Sequence, residues 1–379
     1  MGTSTELPHG LYVHLPLCTF RCPYCDFATL PARFFDARSY LRLLREEHRL
    51  RAPPGFAPRT IYVGGGTPNA LALGSLEELL AWLRSTIVGR VTEFTVEANP
   101  GLVTADQARL LVDYGVNRVS LGAQSLDKQA LAFLQRDHAP DAVAKALGHL
   151  RSAGVPSINL DLIYAWPGQT GKHLEREVEQ FLALRPDHIS AYALTFERGT
   201  PLFQRLVRGT IVPMLDEPAR GLFDRVRAML RAAGLPPYEI SNFASGRHRC
   251  QHNLTYWRNR PYLGLGVSAA SYFRGCRETN HRSIRRWEDA LSRGRKPTAL
   301  AERLGRHAAC RETLVLGLRR TAGISQRQLE TRFGLSLDPL CGAELRALER
   351  DGLLRRTRHR LQLSESGAAM ADLVAVRLV

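Results

Sequence analysis

Three cysteines near the start of the chain are the residues whose type and spacing most directly suggest chemistry. Cys18, Cys22 and Cys25 follow the pattern C-x3-C-x2-C. Structural zinc sites usually take four ligands in two separated pairs, and no second pair matches this one. A four-iron cluster takes one cysteine per iron, so three cysteines leave one iron open to an exchangeable ligand. The spacing therefore favours a [4Fe–4S] cluster over a zinc site or burial in an apolar core.

Further polar and glycine-rich residues lie at or near the ends of short apolar runs. The sequence GGGTP occupies residues 64–68, and taken alone it fits either a tight turn or a close approach of the backbone to a ligand. Glu97, Gln124 and Asp161 likewise lie at or near the ends of apolar runs. Each of them could cap a turn, or bind a ligand such as a ribose as acidic residues do in dinucleotide-binding folds.

The elements that would position these residues alternate between strands and helices. Apolar, partly β-branched runs occupy residues 11–15, 60–63, 94–97, 118–121, 158–163 and 189–194, with amphipathic patterns between them. Six such units predict an α/β fold, a six-stranded partial (β/α) barrel with helices outside the parallel sheet. In such a fold the chemistry lies at the carboxyl ends of the strands, where the cysteines, GGGTP, Glu97 and Gln124 fall.

The chain changes character after the predicted barrel. We predict a barrel domain over residues 1–235 and, over 236–305, an irregular segment rich in glycine, proline and aromatic residues. Residues 306–379 are predicted to form a mainly α-helical, winged-helix-like domain.

Charge and composition narrow the classes of partner. The 379 residues carry a formal net charge of +16, but arginine is spread along the whole chain, as in a general compositional bias. The C-terminal helical pattern has a mixed-charge face instead of base-reading groups, so we expect no nucleic-acid partner, although the charge is compatible with peripheral association with an anionic membrane. We find neither a membrane-spanning apolar run nor a secretory signal, which predicts a cytoplasmic location.

With these residues in place, the chain resembles the radical S-adenosylmethionine (SAM) superfamily, through the cysteine motif with Tyr24 before its last cysteine and through GGGTP. More narrowly, it is similar to the oxygen-independent coproporphyrinogen III oxidase family. The motifs that carry this likeness run in order through most of the chain: Y-x-H-x-P at residues 12–16, EANP, NRVSLGAQS, LDLIYAWPGQT, ERGTPL, YEISNFA, CQHNLTYW and YLGLG.

The resemblance implies a role for each matching position. The three cysteines would hold a [4Fe–4S] cluster, whose fourth iron takes the amino and carboxylate groups of SAM. The implied SAM-binding residues are Tyr12, Gly65, Gly66, Thr67, Glu97, Gln124, Arg136 and Asp161. Arg136 would pair with the SAM carboxylate, and Glu97 and Gln124 would bind the ribose. In this superfamily a reduced cluster splits SAM to give a 5′-deoxyadenosyl radical, so an electron donor is implied as well.

Two differences from the oxidases point to the heme-chaperone branch of the family. The oxidases carry a fourth cysteine two places after the third, where this chain has Phe27, and they have a longer segment ahead of the cluster. The implied function is a heme chaperone that binds the cluster, SAM and heme and transfers heme to an acceptor protein. The alternative is an oxidase-like radical SAM oxidoreductase of porphyrin biosynthesis, and cleavage of SAM is compatible with either.

The CQHNLTYW segment supplies the predicted heme ligand. Cys250, His252 and Tyr256 are residue types that ligate heme iron, and we favour His252, with a structural loop histidine as the alternative. The family often has G-x-G-A-H-S shortly after this segment, and Ala270 stands here in place of that histidine. Any heme contact that relatives make through that histidine would therefore differ in this chain.

Overall fold

The computed structural model describes residues 7–86 and 91–379. Its strands are β1 (Gly10–Leu15), β2 (Leu17–Cys18), β3 (Leu30–Pro31), β4 (Thr60–Gly65), β5 (Glu93–Ala98), β6 (Arg118–Gln124), β7 (Ser157–Tyr164), β8 (His188–Ala193), β9 (Asn242–Ala244), β10 (Tyr262–Leu265), β11 (Ala270–Phe273), β12 (Cys276–Asn280), β13 (Thr298–Arg303), β14 (Ile324–Ser325), β15 (Leu354–Arg356) and β16 (Arg360–Leu363).

Its α-helices are α1 (Ala37–Arg51), α2 (Leu73–Thr86), α3 (Ala105–Asp113), α4 (Lys128–Phe133), α5 (Pro140–Ala153), α6 (Gly171–Ala183), α7 (Pro201–Val207), α8 (Asp216–Ala232), α9 (Gln251–Trp257), α10 (Ile284–Ser292), α11 (Arg306–Leu318), α12 (Gln326–Phe333), α13 (Leu337–Arg350), α14 (Glu365–Ala369) and α15 (Ala371–Leu378). None of these helices is long and apolar enough to cross a membrane.

The six predicted strands are confirmed as the parallel centre of a larger sheet. The described part of the sheet has the order β13-β12-β11-β10-β1-β4-β5-β6-β7-β8-β9. Strands β1 and β4 to β8 pair in parallel, with at least one α-helix between each consecutive two, as a partial (β/α) barrel requires. Strand β10 adds a further parallel strand beside β1, and β9 pairs antiparallel with β8.

The two faces of the barrel strands differ in polarity. In β7, Ile158, Leu160 and Leu162 pack into the apolar core under the helices, whereas the alternate residues Asn159 and Asp161 face the inside of the barrel. This alternation follows from the pleat of a strand, which sends successive side chains to opposite faces. The inside of the barrel is therefore polar and the outside is the core.

The predicted irregular segment contains regular elements. Helix α9 lies under the amino ends of the barrel strands, and Glu93 at the start of β5 accepts hydrogen bonds from the backbone N–H groups of Gln251 (2.7 Å) and His252 (2.9 Å). A carboxylate on these free N–H groups caps the helix and holds it to the sheet. Strands β9 to β13 belong to the barrel sheet, and the domain boundaries at residues 235 and 305 stay a prediction.

The C-terminal region has the predicted winged-helix pattern. Helices α11 to α13 are followed by the hairpin β15–β16, which pairs with the short strand β14 between α11 and α12 in an antiparallel sheet of order β14-β16-β15. Residues such as Leu314, Leu345 and Leu361 form a core of their own. The chain then returns to the barrel through α14, where Glu365 pairs with Arg231 of α8 at 3.0 Å. This return brings the end of the chain to the mouth of the barrel.

Candidate functional site

A cavity of about 930 Å³ opens at the carboxyl ends of the barrel strands, between the cysteine loop and the C-terminal helices. We call it the mouth cavity. Most of the predicted cluster and SAM residues line it: Cys18, Cys22, Cys25, Gly65, Gly66, Thr67, Glu97, Gln124, Arg136 and Asp161. Tyr12 does not line it: its hydroxyl lies 3.0 Å from His14 Nδ1, and its ring centroid lies 6.1 Å from that of Tyr62.

The cysteine loop is shaped by its own backbone and receives two donors from outside. Its second turn closes through a hydrogen bond from the Cys25 N–H to the Cys22 carbonyl (3.1 Å). Arg136 Nη1 lies 3.2 Å from Cys22 Sγ, and Thr67 Oγ1 lies 3.7 Å from Cys18 Sγ. Burial raises the pKa of the Cys18 thiol to about 11. A metal cluster deprotonates its thiols, and donors of this kind stabilise the thiolates.

The glycine run holds β4 against the cysteine loop. A Cβ on Gly64 would lie 2.6 Å from the Glu97 carboxyl, and a Cβ on Gly66 would lie 2.4 Å from the Leu17 carbonyl oxygen. The N–H groups of Gly66 and Thr67 donate to Leu15 (2.7 Å) and Leu17 (2.6 Å). Only glycine permits these close approaches, so the run fixes the position of the loop relative to the strands.

Two half-buried carboxyl groups lie on the inner wall of the mouth cavity. Glu97 accepts hydrogen bonds from the Tyr62 hydroxyl (2.7 Å) and the Gly65 N–H (3.0 Å), while Asp161 accepts one from Asn159 Nδ2 (2.8 Å). Burial raises the pKa of Glu97 to about 7 and also raises the pKa of Asp161. Carboxyl groups held in this way can accept hydrogen bonds from the hydroxyls of a ribose.

Arg136 reaches the mouth cavity from the loop after α4. Its Nη2 donates to the Gly122 carbonyl at 2.8 Å, which leaves Nε buried without a partner in the described part of the chain. A buried donor without an acceptor is costly unless a ligand or water supplies one. Gln124 lies beside it at the end of β6 with φ at 64°, an uncommon conformation for a residue other than glycine. The three thiols fit a [4Fe–4S] cluster. The unpartnered Nε of Arg136 and the carboxyl groups of Glu97 and Asp161 fit SAM.

His252 lies at the opposite end of the barrel from the cysteines. Its side chain is fully buried, with Nδ1 2.8 Å from Thr60 Oγ1 and Nε2 2.7 Å from the Tyr256 hydroxyl. Burial lowers the pKa of His252 to about 3, so the ring is neutral. With both nitrogens used, this histidine joins α9 to the barrel floor, and the geometry does not fit the predicted role as a heme ligand. Ala270, the other position linked to heme, does not line the mouth cavity.

Several residues that line the mouth cavity are not predicted from the sequence. Tyr62 and Tyr192 occupy inward positions of β4 and β8. A polar or aromatic residue at every second place of an apolar strand is the sequence pattern that could have identified them as inward-facing. Arg319 and Met370 enter from the C-terminal region, and no local pattern marks them. From the CQHNLTYW segment, the lining includes Asn253 and lacks His252.

Comparisons with known proteins agree with this site. A family model described as the radical SAM superfamily matches residues 12–181, and one described as the HemN C-terminal domain matches residues 304–370. The fold is similar to that of coproporphyrinogen III oxidase (HemN) from Escherichia coli, with a TM-score of 0.86 over 100% of this chain and 91% of that chain, at 22% identity.

Relatives of higher identity extend over nearly the whole chain. The heme chaperone HemW of Lactococcus lactis is 33% identical, covering 97% of this chain and 96% of its own length. The heme chaperone HemW of Mycobacterium tuberculosis is 36% identical, covering 98% and 95%. A mitochondrial radical SAM domain-containing protein 1 of mouse is 31% identical, covering 99% and 88%.

The fold and the site together define a radical SAM protein, a superfamily that implies a [4Fe–4S] cluster and SAM. Within it, this chain belongs to the HemW family.

Proposed function

We propose that the protein is a heme chaperone that binds a [4Fe–4S] cluster, SAM and heme and passes the heme to an acceptor protein. One observation carries the proposal: a single cavity joins the cysteine loop to an aromatic and apolar outer wall, in a chain that matches heme chaperones over nearly its full length. The heme-accepting protein and an electron donor for the cluster are the partners that this function requires.

The inner half of the mouth cavity would hold the cluster and SAM. Cys18, Cys22 and Cys25 would ligate three irons, and when bound the cluster supplies an open iron position and an electron. Arg136 would donate to the SAM carboxylate, a planar pairing that a guanidinium suits, through the Nε that has no partner in the described chain. Glu97 and Gln124 would orient the ribose.

The outer half of the mouth cavity would take the porphyrin. Its wall includes the aromatic and apolar side chains of Tyr192, Leu194, Phe223, Met370 and Leu373. Tyr192, Met370 and Leu373 are 42%, 39% and 44% exposed, although large apolar surfaces are usually buried. The described lining contains tyrosine and methionine but no histidine, so an iron ligand from this wall would be one of those two types.

The alternative is an oxidase-like radical SAM oxidoreductase that acts on a porphyrinogen. The likeness of the fold to that of HemN is compatible with it. Phe27 argues against it. This side chain lines the cavity, is 60% exposed, and occupies the place of the fourth cysteine that the oxidases carry.

The decisive experiment is a hemin titration of the anaerobically reconstituted protein, combined with an assay for coproporphyrinogen decarboxylation in the presence of SAM. A heme chaperone should give a saturable shift of the Soret band, near one heme per chain, and no decarboxylated product. Product formation without saturable heme binding would instead establish the oxidase alternative.

A further inference from the structure

A second, smaller cavity opens beside the mouth cavity and is lined mainly by arginines. Its volume is about 200 Å³, and it lies between α8, the chain after α11 and the wing hairpin β15–β16. The basic residues of its lining are Arg227, Arg231, Arg319, Arg320 and Arg355, and the acidic ones are Glu239 and Glu365. We call it the arginine cavity. Ile240, Arg319 and Ala368 line both cavities, so the two are neighbours that share a wall.

The acidic residues of the arginine cavity already have partners. Glu365 pairs with Arg231 at 3.0 Å, and the Glu239 carboxylate accepts from the Ser241 N–H at 3.0 Å. Each carboxylate is thus engaged at the rim or the wall. Burial raises the pKa of Glu239 and the nearby Arg319 opposes that shift, so this carboxyl offsets part of the charge of Arg319. Five arginines against two carboxyl groups still leave the described lining with an excess of positive charge.

Arg320 is the clearest case of an unbalanced charge. Its Nε is buried without a partner, and in the described residues its side chain forms no ion pair and no side-chain hydrogen bond that would satisfy the guanidinium. Burial, together with the neighbouring Arg258, Arg360 and Arg260, lowers the pKa of Arg320 to about 10. Burying like charges together is unfavourable, so this arrangement is one that a bound anion would stabilise.

Arg319 connects the arginine cavity to the CQHNLTYW segment. Its guanidinium lies over the Trp257 ring, 4.7 Å from the centroid, and its Nε is also buried without a partner. Its only described ion pair is a long contact of 3.8 Å to Asp372, a fully exposed side chain. The tryptophan face therefore holds a guanidinium between the two cavities and leaves its Nε available to a ligand.

We infer that the arginine cavity binds the carboxylates of a porphyrin whose ring lies in the mouth cavity, with Arg319 and Arg320 as the recognising residues. The inference rests on the proposed function and adds to it the residues that select a carboxylate-bearing porphyrin. Guanidinium groups pair with carboxylates through two parallel hydrogen bonds, and a site of about 200 Å³ has room for one or two such groups. Free phosphate shares this oxyanion chemistry, so the test separates the two sources.

The test compares hemin with its dimethyl ester, which has the same ring and iron but no free carboxylates. Affinities are measured by Soret titration for the cluster-loaded wild type, Arg320→Gln and Arg319→Gln, and for Arg358→Gln as a matched control, since Arg358 is exposed and lines neither cavity. We expect wild type and Arg358→Gln to bind hemin about tenfold more tightly than the ester, and the two cavity variants to lose most of that preference.

A second readout separates recognition from folding. Without heme, Arg320→Gln should unfold at the same or a higher temperature than wild type, because it removes one of several repelling cations. Equal hemin affinity in wild type and both cavity variants would overturn this inference while leaving the heme chaperone proposal intact. Failure of wild type to bind hemin would overturn both. A third outcome would assign the cavity to phosphate instead: pyrophosphate raises the unfolding temperature of wild type but not of Arg320→Gln, and the hemin affinity is the same in all variants.

Discussion

Replacing Glu97 by glutamine tests two properties of this carboxyl group: that its ionised form lowers the stability of the fold, and that it binds a ligand in the mouth cavity. The carboxyl lies on the inner wall, where burial raises its pKa from 4.5 to about 7. Glutamine has the same shape but cannot ionise. It can accept one of the two hydrogen bonds that Tyr62 and the Gly65 N–H now donate, and it loses the other.

The magnitude follows from the raised pKa. Ionising Glu97 costs about 3 kcal/mol more in the folded protein than in the unfolded chain. Because the folded protein holds this proton more tightly, stability falls as the pH rises from 4.5 to about 7. Glutamine avoids that loss and forfeits about 1 kcal/mol for one hydrogen bond. Glu97→Gln should therefore be about 2 kcal/mol more stable than wild type at pH 8, which corresponds to a transition temperature about 2–3 °C higher for a chain of this length.

The matched control is Glu177→Gln. Burial also raises the pKa of Glu177 to about 7, but this carboxyl lies outside the mouth cavity, bonded to Ser125 and to Gln169 (3.2 Å). Both variants should flatten the decline in transition temperature between pH 5 and pH 8 in anaerobic melting curves. Only Glu97→Gln should weaken SAM binding, by about tenfold in equilibrium dialysis. An unchanged pH slope in Glu97→Gln would refute the burial argument, and equal SAM affinity in the two variants would refute the ligand role.

Two further predictions concern the cluster and the barrel floor. Cys22→Ala should lower the iron content from about four per chain to near zero after anaerobic reconstitution. Cys276→Ala, on a strand outside the mouth cavity, should keep its iron. Iron retained in Cys22→Ala would contradict the ligand assignment. His252→Ala should destabilise the protein by about 3 kcal/mol in thermal unfolding, since two buried hydrogen bonds and a ring are lost, and should change the hemin affinity less than twofold. A large loss of hemin affinity in a stably folded His252→Ala would restore this histidine as the heme ligand.

The barrel could be predicted from the sequence because its strands are marked locally. In β7 the polar residues Ser157, Asn159 and Asp161 alternate with apolar ones, and a strand with a polar inner face and an apolar outer face explains that pattern. Glu97 and Asp161 then line the same cavity because parallel strands deliver their carboxyl ends to the same edge of the sheet. The positions of these residues follow from the fold class alone, without knowledge of any side-chain contact.

The place of His252 could not be predicted in the same way. A histidine in a polar, aromatic segment has the residue type of a heme ligand, and its chemistry alone does not distinguish a ligand from a structural residue. What decides is that α9 turns back under β1, β4 and β5, so that Thr60, 192 positions away in the sequence, bonds the ring. That contact depends on long-range packing, which neither spacing nor periodicity reports.

The arginine excess shows why the number of charges is a weaker guide than their surroundings. Several arginines have a nearby carboxylate on the same helix, such as Arg49 with Glu46 at 2.6 Å and Arg220 with Asp224 at 3.0 Å, and exposed pairs of this kind contribute little. Arg319 and Arg320 belong to the same excess but are held in the wall of a cavity with buried, unpartnered Nε atoms. A compositional bias accounts for the first group, because water solvates those charges whatever their number. It does not account for the second, since a charge removed from water without a partner lowers stability unless a ligand restores the lost interactions.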